Sequence, residues 1–170
     1  GQTDEVRKLL AEGANIKERS LDGLSPLHAA ATAGHEDVVL VLIEHSADVA
    51  AKDLDAGETA LHAAAFEGHA AVVLLLLDHA ADVSAADSEG RTSLHKASSR
   101  GHEAVVLLLL EHAADVSAAS SEGGTAIDYA NQEGHAAITQ MLFQHGGRPG
   151  AEAREKVDPG FAAMTLHVAA

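Results

Sequence analysis

Hydrophobic positions along the chain are gathered in short blocks that recur at a nearly constant interval. Residues 70–77 and 104–110 are apolar at every position, so no polar stripe can be drawn along either block. A helix of this kind must be covered on most of its sides. A shorter segment precedes each block, a Gly-His pair separates the two, and polar residues typical of turns follow. The pattern predicts pairs of short helices in which the second helix is deeply buried.

The same unit returns throughout the chain. His28, His62, His95 and then Asp128 occupy one position of the unit, at intervals of 34, 33 and 33 residues. Two other series share this spacing, namely Gly34, Gly68, Gly101 and Gly134, and His45, His79, His112 and His145. A fixed period of this length indicates a repeat architecture, in which each unit packs mainly on its neighbours.

The period divides the chain into capped inner repeats and a remainder. We assign a half unit at 1–20 as an N-terminal cap, whole repeats at 21–53, 54–87 and 88–120, and a C-terminal cap unit at 121–147. The half unit lacks a first helix, which either lies upstream or is naturally missing. Both caps carry polar residues where the inner units are apolar, as terminal repeats must. Residues 148–170 leave the period, and we expect a non-repeat tail or a degenerate further repeat.

The helix starts carry the most specific motif. It reads Ser-Pro-Leu-His-Ala-Ala at 25–30 and Thr-Ser-Leu-His-Lys-Ala at 92–97. These residues resemble the ankyrin repeat, whose period is 33 residues and whose pattern is T-P-L-H-x-A. The resemblance covers about residues 1–147 in four units. It implies an all-α solenoid of stacked helix-turn-helix units with projecting, hairpin-like turns.

The chain departs from this family after each second helix of the inner repeats. The family usually has Gly there, whereas this chain has Ser46, Ala80 and Ala113. A left-handed residue is cheap for Gly and costs other residues roughly 1 kcal/mol or more. We therefore predict either a strained positive φ at these three sites or a shifted helix cap.

Composition narrows the classes of partner. The formal net charge is −15, so there is little Lys or Arg to neutralise phosphates, and nucleic-acid binding is disfavoured. A protein or peptide with a basic face is the better electrostatic partner. Cysteine is absent, which fits an intracellular, cytoplasmic protein. The apolar runs are far shorter than the ~20 residues that span a bilayer, so no membrane partner is expected.

The twelve histidines raise the question of a metal site. Equivalent histidines lie on adjacent repeats, and packed helices are about 8–10 Å apart, whereas metal–nitrogen bonds are about 2 Å. We therefore expect no metal and no cofactor. His28, His62 and His95 are interpreted as hydrogen-bonded scaffold residues. No nucleophile-and-base arrangement or phosphate loop is present, so we expect no enzymatic activity.

The resemblance implies a partner-binding surface made of the turn tips and the exposed side of the first helices. Carried over by position, its residues are Leu21, Leu24, Asp55, Glu58, Phe66, Glu67, Ser88, Glu89, Arg91, Lys96, Ser99, Arg100, Glu122, Gln132 and Glu133. These positions differ between units while the apolar ones repeat. Phe66 is the expected anchor, because aromatic residues concentrate binding energy.

Three hypotheses for function follow. The first is a non-catalytic interaction scaffold that binds a protein or peptide. The second is an ankyrin targeting segment of a larger protein, either an enzyme or a ubiquitin-ligase receptor. The third is a structural oligomer that self-associates through Leu40, Leu74 and Leu107, which the family usually leaves polar and which would form an apolar ridge on the convex face. The alternative for this ridge is that its leucines pack between neighbouring second helices.

Overall fold

The structure, a computed structural model, describes residues 2–150. This part of the chain forms nine helices and no strand: α1 (Gln2–Ala11), α2 (Pro26–Thr32), α3 (Glu36–Glu44), α4 (Ala60–Glu67), α5 (Ala70–Asp78), α6 (Ser93–Arg100), α7 (Glu103–Glu111), α8 (Ala126–Gln132) and α9 (Ala136–Gln144). None of these helices is long and apolar enough to cross a membrane. The predicted tail falls outside this range from residue 151 onward.

After α1, the helices form four pairs that stack side by side. The first helices α2, α4, α6 and α8 pack on one another in that order, and each also packs on the second helix of its own unit. Isolated antiparallel bridges join Ala86 to Thr92 and Ala119 to Thr125 at the bases of two turns. The all-α stack with hairpin-like turns implied by the resemblance is therefore what the structure shows.

Each first helix begins with a capping box. In the unit of Thr59, the hydroxyl accepts a hydrogen bond from the backbone N–H of His62, and Nδ1 of that histidine accepts one from the Thr59 N–H. Two of the N–H groups that a helix start leaves unpaired are thus satisfied. Equivalent boxes begin α2, α6 and α8. The repeated Ser/Thr-x-x-His spacing therefore fixes where the first helices start.

The core is a continuous apolar layer between first and second helices. Leu61 and Leu94 of the first helices are 1% exposed, and Leu76 and Leu109 of the second helices are fully buried. Alanines such as Ala64, which is also fully buried, let the first helices approach closely. The apolar blocks are therefore covered by their own unit and by both neighbours on one face only, as Val72, Val73 and Leu76 show, whereas Leu74 and Leu107 lie exposed on the outer face. The prediction that the second helices are buried on most of their sides holds only for that inner face.

The second helices end at the strained positions predicted from the sequence. Ser46, Ala80 and Ala113 have φ of 67°, 63° and 62°. In the first of these caps, the Ala47 N–H donates to the Leu42 carbonyl at 2.9 Å, which closes a Schellman-type turn. The backbone therefore keeps the left-handed cap and accepts the strain of a side chain there.

The Gly-His breaks lock neighbouring units together. His102 Nε2 lies 2.9 Å from the Phe66 carbonyl of the previous unit. Its ring lies against Gly68, where an added Cβ would come within 2.5 Å of Nδ1. Gly68 also has a φ of 82°, so glycine is required both for the backbone conformation and for the space. The same arrangement joins His69 to the unit before it.

Candidate partner-binding surface

The turns that precede the first helices project as a row of tips joined by backbone hydrogen bonds. The Ser88 N–H donates to the Ala56 carbonyl at 2.8 Å, and the Ser121 N–H donates to the Glu89 carbonyl at 2.8 Å. Each tip therefore sits at a fixed position relative to the next. A partner lying along the row meets a surface that is already ordered, which lowers the entropic cost of binding.

The N-terminal end of this row is apolar. Leu21 is completely exposed, and Leu24 is 40% exposed. Leu54, at the next tip, is 75% exposed and packs one edge against Gly23. Leu54 was not among the predicted contact residues. Its turn holds one residue more than the others, which is why His28 and His62 are 34 residues apart and not 33. This insertion is the signal that could have found Leu54, because an extra residue lengthens the tip.

The other predicted tip residues are Asp55, Ser88, Glu89 and Glu122, and all four are exposed. They carry three carboxylates and one hydroxyl. Every tip carries one carboxylate, because Asp22 occupies the same place in the first unit, whereas the residue before the carboxylate is leucine in the first two tips and serine in the last two. The row therefore changes from apolar and acidic to polar and acidic along the stack, which gives the surface a direction.

Lys96 corrects the prediction of an exposed contact residue. It is 6% exposed, because its ammonium is held by the Glu58 carboxylate and, at 2.9 Å, by Asp87. Equivalent positions in the other units hold Ala29, Ala63 and Tyr129. The ammonium group of this lysine is therefore paired within the scaffold, where it links the turn before α4 to the turn before α6.

Asp87 is the centre of that buried ion cluster. Its Oδ1 accepts from the backbone N–H groups of Glu89 at 2.9 Å and Arg91 at 2.8 Å, while Oδ2 accepts from Arg91 Nε at 2.9 Å. Burial alone would raise the pKa of this carboxyl, but the hydrogen bonds from Lys96 and Arg91 outweigh it and lower the pKa to about 2. Asp87 was missing from the predicted site, and its role is to position Arg91 at the tip.

The C-terminal ends of the first helices form a second row beside the tips. Glu67, Arg100 and Glu133 occupy equivalent positions in successive units and are all exposed. Phe66 is half-buried, and the Arg100 guanidinium lies over its ring at 4.0 Å from the centroid. The structure thus brings together two of the predicted contact residues from different units.

The remaining predicted members of this second row are less prominent. Gln132 is exposed at the end of α8. Ser99 is half-buried, and its hydroxyl donates to the Lys96 carbonyl at 2.9 Å. Because that hydroxyl already has a partner within its own helix, Ser99 contributes mainly shape to this surface.

The histidines of the capping boxes are inter-unit links. His62 Nε2 lies 3.1 Å from the Arg91 carbonyl, and His95 Nε2 lies 3.2 Å from the Gly124 carbonyl. Since Nδ1 accepts from the cap N–H, Nε2 carries the proton and donates it to the next turn. Burial lowers the pKa of both rings, partly offset by these carbonyls. Within residues 2–150, no three His, Asp or Glu side chains are grouped closely enough to hold a metal ion.

The convex face carries part of the predicted leucine ridge. Leu74 is 39% exposed and Leu107 is 43% exposed, while Leu40 is half-buried. The ridge is thus continuous over two units. At the N-terminal end, a separate apolar groove of about 520 Å³ lies between α1 and α2, lined by residues such as Val6, Leu9 and Ala29. This groove occupies the place that a first helix fills in every other unit.

Comparison with known proteins places these features in a family. A family model described as ankyrin repeats, in three copies, matches residues 1–87 and 81–153. Among curated relatives, an ankyrin repeat-containing protein of Schizosaccharomyces pombe is 39% identical over 59 residues. That alignment covers 35% of this chain and 28% of the relative. The chain therefore spans only a small part of that relative's length.

Proposed function

The chain belongs to the ankyrin-repeat family, whose members are generally protein–protein interaction modules, and we propose that it binds a protein or peptide through its tips and first-helix ends. The observation that carries this proposal is a contrast between two sets of positions. The buried positions repeat from unit to unit, whereas the exposed positions vary: the tips change from Leu-Asp in the first two repeats to Ser-Glu in the last two, and the helix ends are Ala33, Glu67, Arg100 and Glu133. A scaffold varied only on one face is suited to recognition.

The proposed contact surface has an anchor at its centre. Phe66 is half-buried, and Leu54 stands 75% exposed at the tip of the same repeat. Aromatic residues concentrate binding energy more often than leucine does, so Phe66 is the expected anchor and Leu54 adds apolar contact area in the same repeat. Glu67 follows Phe66 in the chain and Asp55 follows Leu54; both carboxylates are exposed and favour a partner with basic residues there, whereas Glu89 is already paired with Arg91 at 2.8 Å.

Affinity capture with matched charge variants tests this proposal. Glu67→Lys reverses a charge beside the anchor, and Glu111→Lys makes the same change at the exposed end of α7 on the other side of the stack. We expect a specific partner to be retained by the native chain and by Glu111→Lys, and to be lost with Glu67→Lys. Phe66→Ala should weaken binding about 5- to 30-fold. Equal recovery of the partner by all four proteins would contradict the assignment of this surface.

Self-association through the convex face is a second candidate, favoured by the exposure of Leu74 and Leu107. Light scattering over a range of concentrations tests it. A dimer that dissociates when both leucines are replaced by glutamate would support this function. A molecular mass that stays monomeric at every concentration would rule it out.

Two further expectations belong to this proposal. The chain is expected to have no catalytic activity, and to act in the cytoplasm, as the absence of cysteine suggests. Targeting of a larger enzyme or ubiquitin-ligase receptor would use the same contact surface.

A further inference from the structure

The row of first-helix ends carries alternating charge over three successive units. Glu67 ends α4, Arg100 ends α6, and Glu133 follows α8, so the order along the stack is negative, positive, negative. All three side chains are exposed. This order of charges lies on residues other than the leucines at the tips, and at exposed positions where packing does not dictate the residue.

Arg100 is a prepared site for an anion. Among the described residues it makes no ion pair and donates no side-chain hydrogen bond, and its guanidinium carbon lies over the Phe66 ring, 4.0 Å from the centroid. Stacking uses the flat face of the guanidinium, whereas its N–H groups point outward in the plane of the group. Those donors are free to hold a carboxylate with two parallel hydrogen bonds. The aromatic ring also restricts the side chain before a partner arrives.

The flanking carboxylates have no ion pair among residues 2–150 either. Glu67 and Glu133 are exposed acids at the two ends of the row, one repeat away from Arg100 on each side. A partner that placed a carboxylate alone on Arg100 would be repelled by both. A partner with basic residues on either side of its carboxylate would satisfy all three positions. The chain's net charge of −15 adds to this preference for a partner that is basic overall.

The spacing of the repeats sets the spacing of the partner's charges. Packed helices lie about 8–10 Å apart, and one turn of polyproline II helix, three residues, rises about 9 Å and returns side chains to the same face. Resting on the proposed partner-binding function, we propose that the row of Glu67, Arg100 and Glu133 binds a protein segment in the polyproline II conformation with the pattern basic-x-x-acidic-x-x-basic. The pattern is the same in both chain directions, so the row sets the register and the tips set the orientation.

Synthetic peptides test this register directly. Fluorescence anisotropy at low salt would compare labelled peptides containing Lys-x-x-Glu-x-x-Lys, Lys-x-x-Lys-x-x-Lys and Glu-x-x-Lys-x-x-Glu, with neutral residues at x. We expect the native chain to bind the first about 5- to 10-fold more tightly than the second, and the third to bind weakest. Arg100→Glu should invert the order of the first two. Lys17→Glu makes the same change in net charge in the half unit and should leave the order unchanged.

Several outcomes would overturn the register. The native chain could prefer the all-lysine peptide, which would show attraction by net charge alone. Arg100→Glu could leave the order unchanged. A peptide with seven-residue spacing of the same charges could bind more tightly, which would indicate a helical partner. A partner captured through Phe66 that ignores all of these peptides would refute the register while leaving the proposed function standing.

Discussion

Replacing Ala113 with glycine should stabilise this protein. Ala113 has a φ of 62° at the end of α7, and the left-handed region costs a residue with a Cβ roughly 1–2 kcal/mol. Glycine avoids that cost, but its larger conformational entropy in the unfolded chain offsets part of the stabilisation. Ala113 is exposed, so losing its methyl group removes little burial. We expect a net gain of about 1 kcal/mol in the free energy of unfolding.

The same reasoning applies to the other two caps, and the three changes should add. Ser46 and Ala80 have φ of 67° and 63° and are exposed. The caps lie in successive repeats and share no side-chain partner, so their effects should be close to additive. The triple glycine variant should therefore gain about 3 kcal/mol. For a chain of this length, that corresponds to a rise in Tm of about 6–12 °C.

Urea denaturation followed by far-ultraviolet circular dichroism measures these gains. Ala104→Gly is the matched control, because Ala104 is exposed in the first turn of α7, where the backbone is right-handed and glycine should cost about 0.5 kcal/mol. The two alanine-to-glycine changes in one repeat should thus have opposite signs. If Ala113→Gly destabilises the protein as much as the control does, the strain argument is wrong.

Four further predictions address the scaffold. Lys96→Met should lower the free energy of unfolding by about 3 kcal/mol, measured by urea denaturation, because it leaves the buried Asp87 carboxylate with one cation fewer. The pKa of Asp87 is lowered to about 2 in the folded state, so its ionised carboxylate stabilises the fold above pH ~4, and this stabilisation is lost as the pH falls from about 4 to 2. Asp87→Asn should therefore make the free energy of unfolding depend less on pH in that range. Burial lowers the pKa of His62, so as the pH falls the unfolded chain binds a proton before the folded protein does, and stability should fall below pH ~6.5. Replacing His62 with glutamine should reduce this loss of stability. An NMR titration that gives a pKa at or above 6.5 for His62 in the folded protein would contradict the prediction. Gly68→Ala should destabilise the stack by more than 1 kcal/mol in thermal unfolding, because the new Cβ meets the His102 ring at a positive φ, and an unchanged Tm would refute this.

The repeated part of the fold could be predicted from the sequence because its causes are local. The Thr59 and His62 pair fixes a helix start within four residues, and the Gly68 and His69 pair fixes the break that follows. The strained cap at Ala113 was predictable for the same reason, since a missing glycine is visible in one repeat compared with another. Causes that lie within one unit and return in the next can be read without coordinates.

The contact surface could be predicted only in outline because its details depend on neighbouring units. Lys96 was expected to be exposed by its position in α6, but its charge is captured by Glu58, 38 residues earlier in the chain. Leu54 was missed because its exposure depends on how far its turn extends beyond Gly23. The contact between Lys96 and Glu58 has no counterpart in other units, so comparing one repeat with the next could not reveal it, whereas the longer turn of Leu54 was visible in that comparison.

The two ends of each first helix have different roles, which explains how the exposed surface can vary while the fold is kept. The N-terminal turn of α6 holds His95, whose Nε2–H reaches the next unit, whereas its C-terminal end presents the exposed Arg100. A change at the first end breaks a hydrogen bond between repeats, while a change at the second leaves these hydrogen bonds intact and removes the contact of Arg100 with Phe66. Asp128 shows how closely the residue type at the N-terminal end is constrained. The segment that follows presents the Gly150 N–H, a donor, where the other units present a carbonyl, and the Asp128 carboxylate accepts from it at 2.7 Å. The donor or acceptor supplied by the next segment therefore selects the residue at that position, and the exposed end remains free to be selected by a partner.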